Sequence, residues 1–149
     1  VRTGVRLALD WGRARIGVAR CDAAATLAFP LTTLRSGPDA YRAVADLVAE
    51  HEPLEVVLGL PLALDGTEGP AAIEVRRHAD RLVRLLPVDV RLVDERLSTV
   101  SASRGLHASG RDTRRQRSVI DQAAAVEILE RALDAERRSG RPPGRLHPR

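Results

Sequence analysis

Three acidic positions in this 149-residue chain sit where a reaction could be run. Two apolar, β-rich runs end in carboxylates: VRLALD closes on Asp10, and VDVRLVDE closes on Asp94 and Glu95. In open α/β sheets, sites form beyond the carboxyl ends of the parallel strands. A third acid, Asp121, leads the helical stripe Asp121, Ala125, Ile128, Leu129 and Ala132, which should face a core. A carboxylate on such a stripe loses its hydration at considerable cost unless it is paired or metal-bound. Two readings therefore stay open at Asp121, a buried Asp–Arg ion pair and a metal site. Its expected place in the first helical turn also sets it near the positive end of the helix dipole.

If Asp10, a strand-end acid and Asp121 converge, the ligand set is all oxygen, which favours Mg²⁺ or Mn²⁺ over zinc. A divalent ion among carboxylates can bridge a scissile phosphate, activate water and stabilise the leaving oxygen. His51, His78, His107 and His147 have no ligand spacing, and one cysteine cannot build a structural zinc site. Ser98, Ser101 and Ser103 lack a neighbouring base, so nothing points to a covalent nucleophile.

The elements that must position these acids follow from periodicity. VRLALD, a WGR turn and ARIGVARCD read as an antiparallel hairpin. TLAFPLTTL reads as a third strand, with Pro30 favouring an edge or a bulge. Pro38 to Glu50 is helical, with Tyr41, Val44, Leu47 and Val48 on one face. LEVVLGL is a buried strand, and PLALDGTEGP is a loop rich in turn residues. Ala71 to Leu86 forms a second helix with Ile73, Ala79, Leu82, Val83 and Leu86 inward. VDVRLVDE is the next strand, Thr99 caps a short helix to about Leu106, and SGRDTRRQR is a basic loop. Ser118 opens a long helix to about Arg138. Glu127 with Arg131, and Asp134 with Arg138, read as surface i, i+4 pairs. The result is one α/β domain over 1–138, a mixed five-stranded sheet with helices on both faces. Residues 139–149, rich in proline, glycine and charge, read as a flexible tail.

Composition narrows the partners. The chain carries 24 basic and 20 acidic residues, a net charge of +4, and all the basic ones are arginine. Arginine grips phosphate with two parallel hydrogen bonds, so a polyanion is the favoured partner, although a solvated basic surface also fits. With one Trp, one Tyr and one Phe, the chain should read nucleic-acid backbone and shape more than base identity. No apolar run approaches the roughly 20 residues that span a bilayer, and VRTG runs straight into a strand without a signal-peptide pattern. A lone cysteine, Cys21, reads as a core residue, and the expected compartment is a reducing cytoplasm.

The motifs themselves resemble a known family. DWGRARIGVA, Asp10 to Ala19, resembles the D-x-G-x-x-R-I-G-V-A opening of the YqgF family of ribonuclease H-like proteins. GLPLALDGTEG, Gly59 to Gly69, resembles its G-L-P loop. DERLST, Asp94 to Thr99, and IDQAAAVEIL, Ile120 to Leu129, resemble its last two acidic motifs. The resemblance implies a ribonuclease H-like three-layer fold, a carboxylate-held divalent metal, and Glu95 rather than Asp94 as the site acid. It matches Asp10, Glu95 and Asp121 to the catalytic acids. Family members are described as pre-16S ribosomal RNA processing nucleases and, formerly, as Holliday junction resolvases.

Around those acids, Arg13, Arg15, Arg96, Arg111, Arg114, Arg115 and Arg117 are the candidate nucleic-acid contacts. Arg15 and Arg96 can clamp a phosphate or a carboxylate, or form structural ion pairs. Gly12 and Gly17 serve a phosphate approach or tight packing, and Trp11 can stack on a base or ribose, with packing against a loop the favoured reading. The leading expectation is a metal-dependent nuclease for ribosomal RNA precursor, as monomer or homodimer. A junction resolvase would need a symmetric dimer to cut both strands, and a non-catalytic RNA-binding factor would keep the scaffold without turnover. A sugar-kinase-like phosphate domain would need two lobes, for which the chain is too short.

Overall fold

Alternation of apolar and small residues sets the architecture. In a computed structural model, residues 1–95 and 114–149 are described, with the side chains of 114–118 excepted. In chain order the elements are β1 (Arg6–Trp11), β2 (Arg15–Cys21), β3 (Ala28–Arg35), α1 (Ala40–His51), β4 (Glu55–Leu60), α2 (Pro70–Leu85), β5 (Asp89–Asp94), α3 (Arg114–Ser139) and β6 (Arg145–Leu146). The sheet order is β3-β2-β1-β4-β5-β6. β1, β2 and β3 pair antiparallel, while β1–β4 and β4–β5 are parallel, as helical crossovers require. Pro30 does lie on the edge strand, where the β2–β3 register shifts between Val18 and Ala19.

The sheet separates two cores. Leu7, Leu9, Ile16, Val18, Val56, Leu58 and Leu92 pack under α1 and α2. Ala8, Ala19, Cys21, Val57 and Val93 face Ala125, Ile128, Leu129 and Ala132 of α3. The α3 side is built of small residues on β1 and β2, so the long helix lies close to the sheet. Cys21 is fully buried, as expected of a core residue, and its Sγ accepts the Arg6 backbone N–H at 3.2 Å.

At the amino ends of the strands a charged cluster ties α3 to the sheet. Arg2 bridges Glu55 at 2.6 Å and Glu136 at 2.7 Å, Arg6 reaches Glu136 at 3.0 Å, and Arg91 pairs with Glu55. Burial alone would raise the Glu136 carboxyl, but hydrogen bonds from Arg2 and the charges of Arg2 and Arg6 hold it below its ordinary value.

Several expectations are corrected. The sheet has a sixth strand, because Arg145–Leu146 add antiparallel to β5 instead of trailing as a free tail. His147 follows, buried, with its Nε2 2.6 Å from Asp80 Oδ1. Ile73 is 49% exposed, and the inward face of α2 is Ala72, Val75, Ala79, Leu82 and Val83. The chain is already helical from Arg114, so Arg114, Arg115 and Arg117 are not loop residues. Asp134 pairs with Arg137 rather than Arg138, at 2.9 Å. The short helix expected from Thr99 lies outside the described residues.

Candidate active site

The site assembles on the α3 face of the sheet, at the carboxyl ends of β1, β4 and β5. Asp10 follows Ala8 by two residues, so strand alternation turns it toward α3. It is only 6% exposed. Its partner across the hairpin is Gly17. A β-carbon on Gly17 would collide with the backbone carbonyl of Asp121, so the missing side chain is what lets α3 settle there. The helix thus brings Asp121 over the residue opposite Asp10.

The other flank is built in the same way. β1 and β4 pair in register through Leu9 and Leu58, so Gly59 is the next residue beside Asp10. Glu95 extends β5 by one residue, its backbone N–H donating to the Leu60 carbonyl at 3.2 Å. Alternation sets Glu95 on the face of Val93, whereas Asp94 lies on the opposite side, exposed. A β-carbon on Gly59 would stand 2.5 Å from Glu95 Oε2 and 2.6 Å from Ile128 Cδ1. Gly59 is therefore a cradle for the Glu95 carboxylate. Two glycines, one on each neighbour of β1, admit the acids that flank Asp10.

Arg15 completes the described site. Its Nε donates to Asp121 Oδ2 at 2.7 Å, in a pair whose carboxylate is almost buried and whose guanidinium is one-third exposed. The hairpin that presents Arg15 is closed by the Gly12 N–H donating to the Arg15 carbonyl at 2.9 Å. Ser36 Oγ donates to the Gly12 carbonyl at 2.8 Å, and Gln122 Nε2 donates to Thr33 Oγ1 at 2.9 Å, fixing α3 against β3. Among the described residues no three carboxylate, imidazole or thiol side chains gather closely enough to hold a metal ion as they stand. The donor set and the glycine cradle nevertheless suit a hard divalent cation. The guanidinium of Arg15 is the positive group now held at Asp121.

Comparison with known proteins matches residues 4–135 to the RuvX family, described as Holliday junction resolvase. The chain belongs to the RuvX family. A Streptomyces coelicolor relative named "Putative pre-16S rRNA nuclease" is 58% identical over 147 residues, covering 97% of this chain and 88% of that protein. Relatives of the same name in Streptomyces avermitilis and Thermobifida fusca are 57% and 52% identical, covering 97% and 98% of this chain and 94% and 97% of their own lengths. Among solved structures, Thermus thermophilus RuvC in complex with a Holliday junction substrate superposes with a TM-score of 0.58 at 13% identity, covering 93% of this chain and 98% of that one. The fold of this RuvX-family chain is thus the ribonuclease H-like fold of RuvC, with helices on both faces of a mixed sheet.

Of the residues singled out in the sequence, Asp10, Glu95 and Asp121 share one face and one end of the sheet, with Arg15 among them. Asp121 lies in the third turn of α3 as described, so the helix-dipole argument does not apply to it. Arg13 is exposed on the hairpin turn. Arg96 and Arg111 lie outside the described residues, as do the side chains of Arg114, Arg115 and Arg117. Trp11 packs on His78 of α2 rather than on a loop, with ring centroids 4.3 Å apart. The role of Gly59 in seating Glu95 was not read from the sequence. Its signal is a glycine at the end of an apolar strand, level with the Asp10 strand end.

Proposed function

We propose that this chain is a metal-dependent nuclease that hydrolyses phosphodiester bonds in ribosomal RNA precursor, with Asp10, Glu95 and Asp121 as its catalytic acids. The observation that carries the reading is the pair of glycines, Gly17 and Gly59, that admit Asp121 and Glu95 to either side of Asp10. The names borne by relatives more than half identical across nearly the whole chain support the same activity and substrate.

Asp10, Glu95 and Asp121 would hold the cation, Mg²⁺ or Mn²⁺, through oxygen. When bound, such a cation acidifies water and neutralises charge building on the phosphate. The protein's own part is positioning. Asp10 is fixed by the β1–β2 ladder, Glu95 by its backbone bond to Leu60 and by the Gly59 cradle, and Asp121 by the seat of α3 on Gly17. Arg13 and Arg15 stand on the same hairpin turn, where guanidinium groups can orient a phosphate. A site buried on its helix side also excludes bulk water and strengthens these interactions.

The deciding experiment incubates purified protein with precursor ribosomal RNA and with a synthetic four-way DNA junction, each with Mn²⁺ and with a chelator. Mn²⁺-dependent cutting of the RNA, abolished in Asp10→Asn, is the expected result. Paired-strand cutting of the junction by a dimer would instead favour the resolvase reading, which the family description and the RuvC likeness support. Binding without turnover on either substrate would leave a non-catalytic RNA-binding factor.

A further inference from the structure

On the other face of the sheet, one residue beyond Asp10, lies a groove of about 880 Å³. Its walls include Trp11, Arg13, Tyr41, Glu74, His78 and Arg81. Trp11 and His78 are stacked with planes 16° apart, Tyr41 lies 5.3 Å from Trp11, and the Tyr41 hydroxyl shares a 2.7 Å hydrogen bond with His78 Nδ1. The Arg81 guanidinium sits 4.2 Å above the Tyr41 ring. Burial lowers the His78 pKa, so the stacked imidazole stays neutral at neutral pH. A chain with three aromatic residues thus spends two of them, including its only tryptophan, in one slot.

Resting on the nuclease reading above, we infer that this groove is a nucleobase subsite, taking an unpaired base of the strand whose backbone passes the acids. The chemistry fits that occupant better than an apolar one. The rings stack on one another, and the part of the Trp11–His78–Tyr41 cluster left exposed along the groove offers a flat aromatic surface on which any base can stack. Two arginines beside a single carboxylate favour the phosphates attached to that base. The volume is in the range of sites for small organic groups, roughly 300–1,000 Å³. Because neighbouring residues of a strand point to opposite faces, β1 offers a carboxylate on one side and an indole on the other. A strand of nucleic acid wrapped over the end of β1 would meet both. Stacking that accepts any base agrees with the expectation that the chain reads backbone and shape more than base identity.

The test uses the full chain and labelled short single strands of RNA and of DNA, with a chelator present to prevent cutting. Matched strands with abasic central positions serve as the comparison. Label anisotropy reports binding, and the intrinsic fluorescence of Trp11 reports occupancy of the groove, since no other tryptophan contributes. Intact strands should bind about tenfold more tightly than abasic ones and change the Trp11 emission. In Trp11→Leu the preference for intact strands should vanish while abasic binding is retained, which also shows that the variant is folded. A preference seen with RNA alone, or with both strands, supports the inference and identifies the strand. Equal binding of intact and abasic strands, or binding without any change in emission, overturns it and leaves the nuclease reading standing. Failure of all strands to bind also overturns it, while the nuclease reading is decided separately by Mn²⁺-dependent cutting of precursor RNA.

Discussion

The Arg15–Asp121 pair offers a perturbation whose size depends on the metal. Arg15 Nε donates to Asp121 Oδ2 at 2.7 Å, with the carboxylate 9% and the guanidinium 33% exposed. A hydrogen bond to a charged group is worth about 1.5–3 kcal/mol. Because water reaches a third of Arg15, a contribution of about 1–2 kcal/mol is the better figure. In Arg15→Gln without metal, that loss corresponds to a fall in Tm of roughly 2–8 °C for a chain of this size. A divalent cation would supply the missing positive charge, and in the variant it need not displace the guanidinium. The deficit should therefore shrink by about half or more at saturating Mn²⁺, since ligand binding to the folded state raises its stability. The assay is a pair of thermal melts, wild type and variant, each in Mn²⁺ and in chelator. An identical deficit in both conditions would refute the reasoning, because Asp121 would then not take part in holding the cation.

Three further outcomes follow from the geometry. Gly59→Ala puts a methyl 2.5 Å from Glu95 Oε2, so single-turnover cleavage should fall about 100-fold, with stability reduced by only about 1–3 kcal/mol; full activity would show that Glu95 has no fixed seat. Glu136→Gln leaves the buried Arg6 without its counter-charge and should cost about 3 kcal/mol at neutral pH, read by urea unfolding. Since the folded Glu136 carboxyl lies below its ordinary 4.5, its contribution is complete above that pH and is lost as pH falls through the lower folded value, so the variant should show a flatter acid limb. Burial holds the His78 imidazole below its ordinary 6.5, so its NMR titration should have a midpoint under that value, and wild-type stability should rise with pH between the two; a midpoint above 6.5 would contradict the stacked, half-buried site.

Much of this arrangement is legible in the residues themselves. The two strand ends at Asp10 and Glu95 and the buried stripe from Asp121 to Ala132 are local patterns, and α3 packs on the face they indicate. Strand alternation also separates Glu95 from Asp94 on physical grounds, once Val93 is known to face α3. Other features depend on contacts far apart in sequence. Arg15 and Asp121 lie 106 residues apart, so either the ion pair or a metal could be argued for the buried acid. Ile73 reads as an inward residue by hydrophobicity, but the phase of α2 is set by Val75, Ala79 and Leu82 against the sheet. The residues after Ser139 look like coil by composition. Docking on β5, through the His147 N–H to the Val90 carbonyl at 2.8 Å, and on α2, through Arg149 to the Val83 carbonyl at 3.2 Å, is decided by surfaces that no local pattern shows. Ser118 reads as the start of the long helix, yet good helix formers carry α3 back to Arg114.

The central claim is that Asp10, Glu95 and Asp121 act on one divalent cation, and the most direct measurement is Mn²⁺ binding followed by electron paramagnetic resonance. Wild-type protein should bind Mn²⁺, and Asp10→Asn, Glu95→Gln and Asp121→Asn should each weaken that binding by about tenfold or more while remaining folded. Unchanged Mn²⁺ affinity in all three variants would contradict the account.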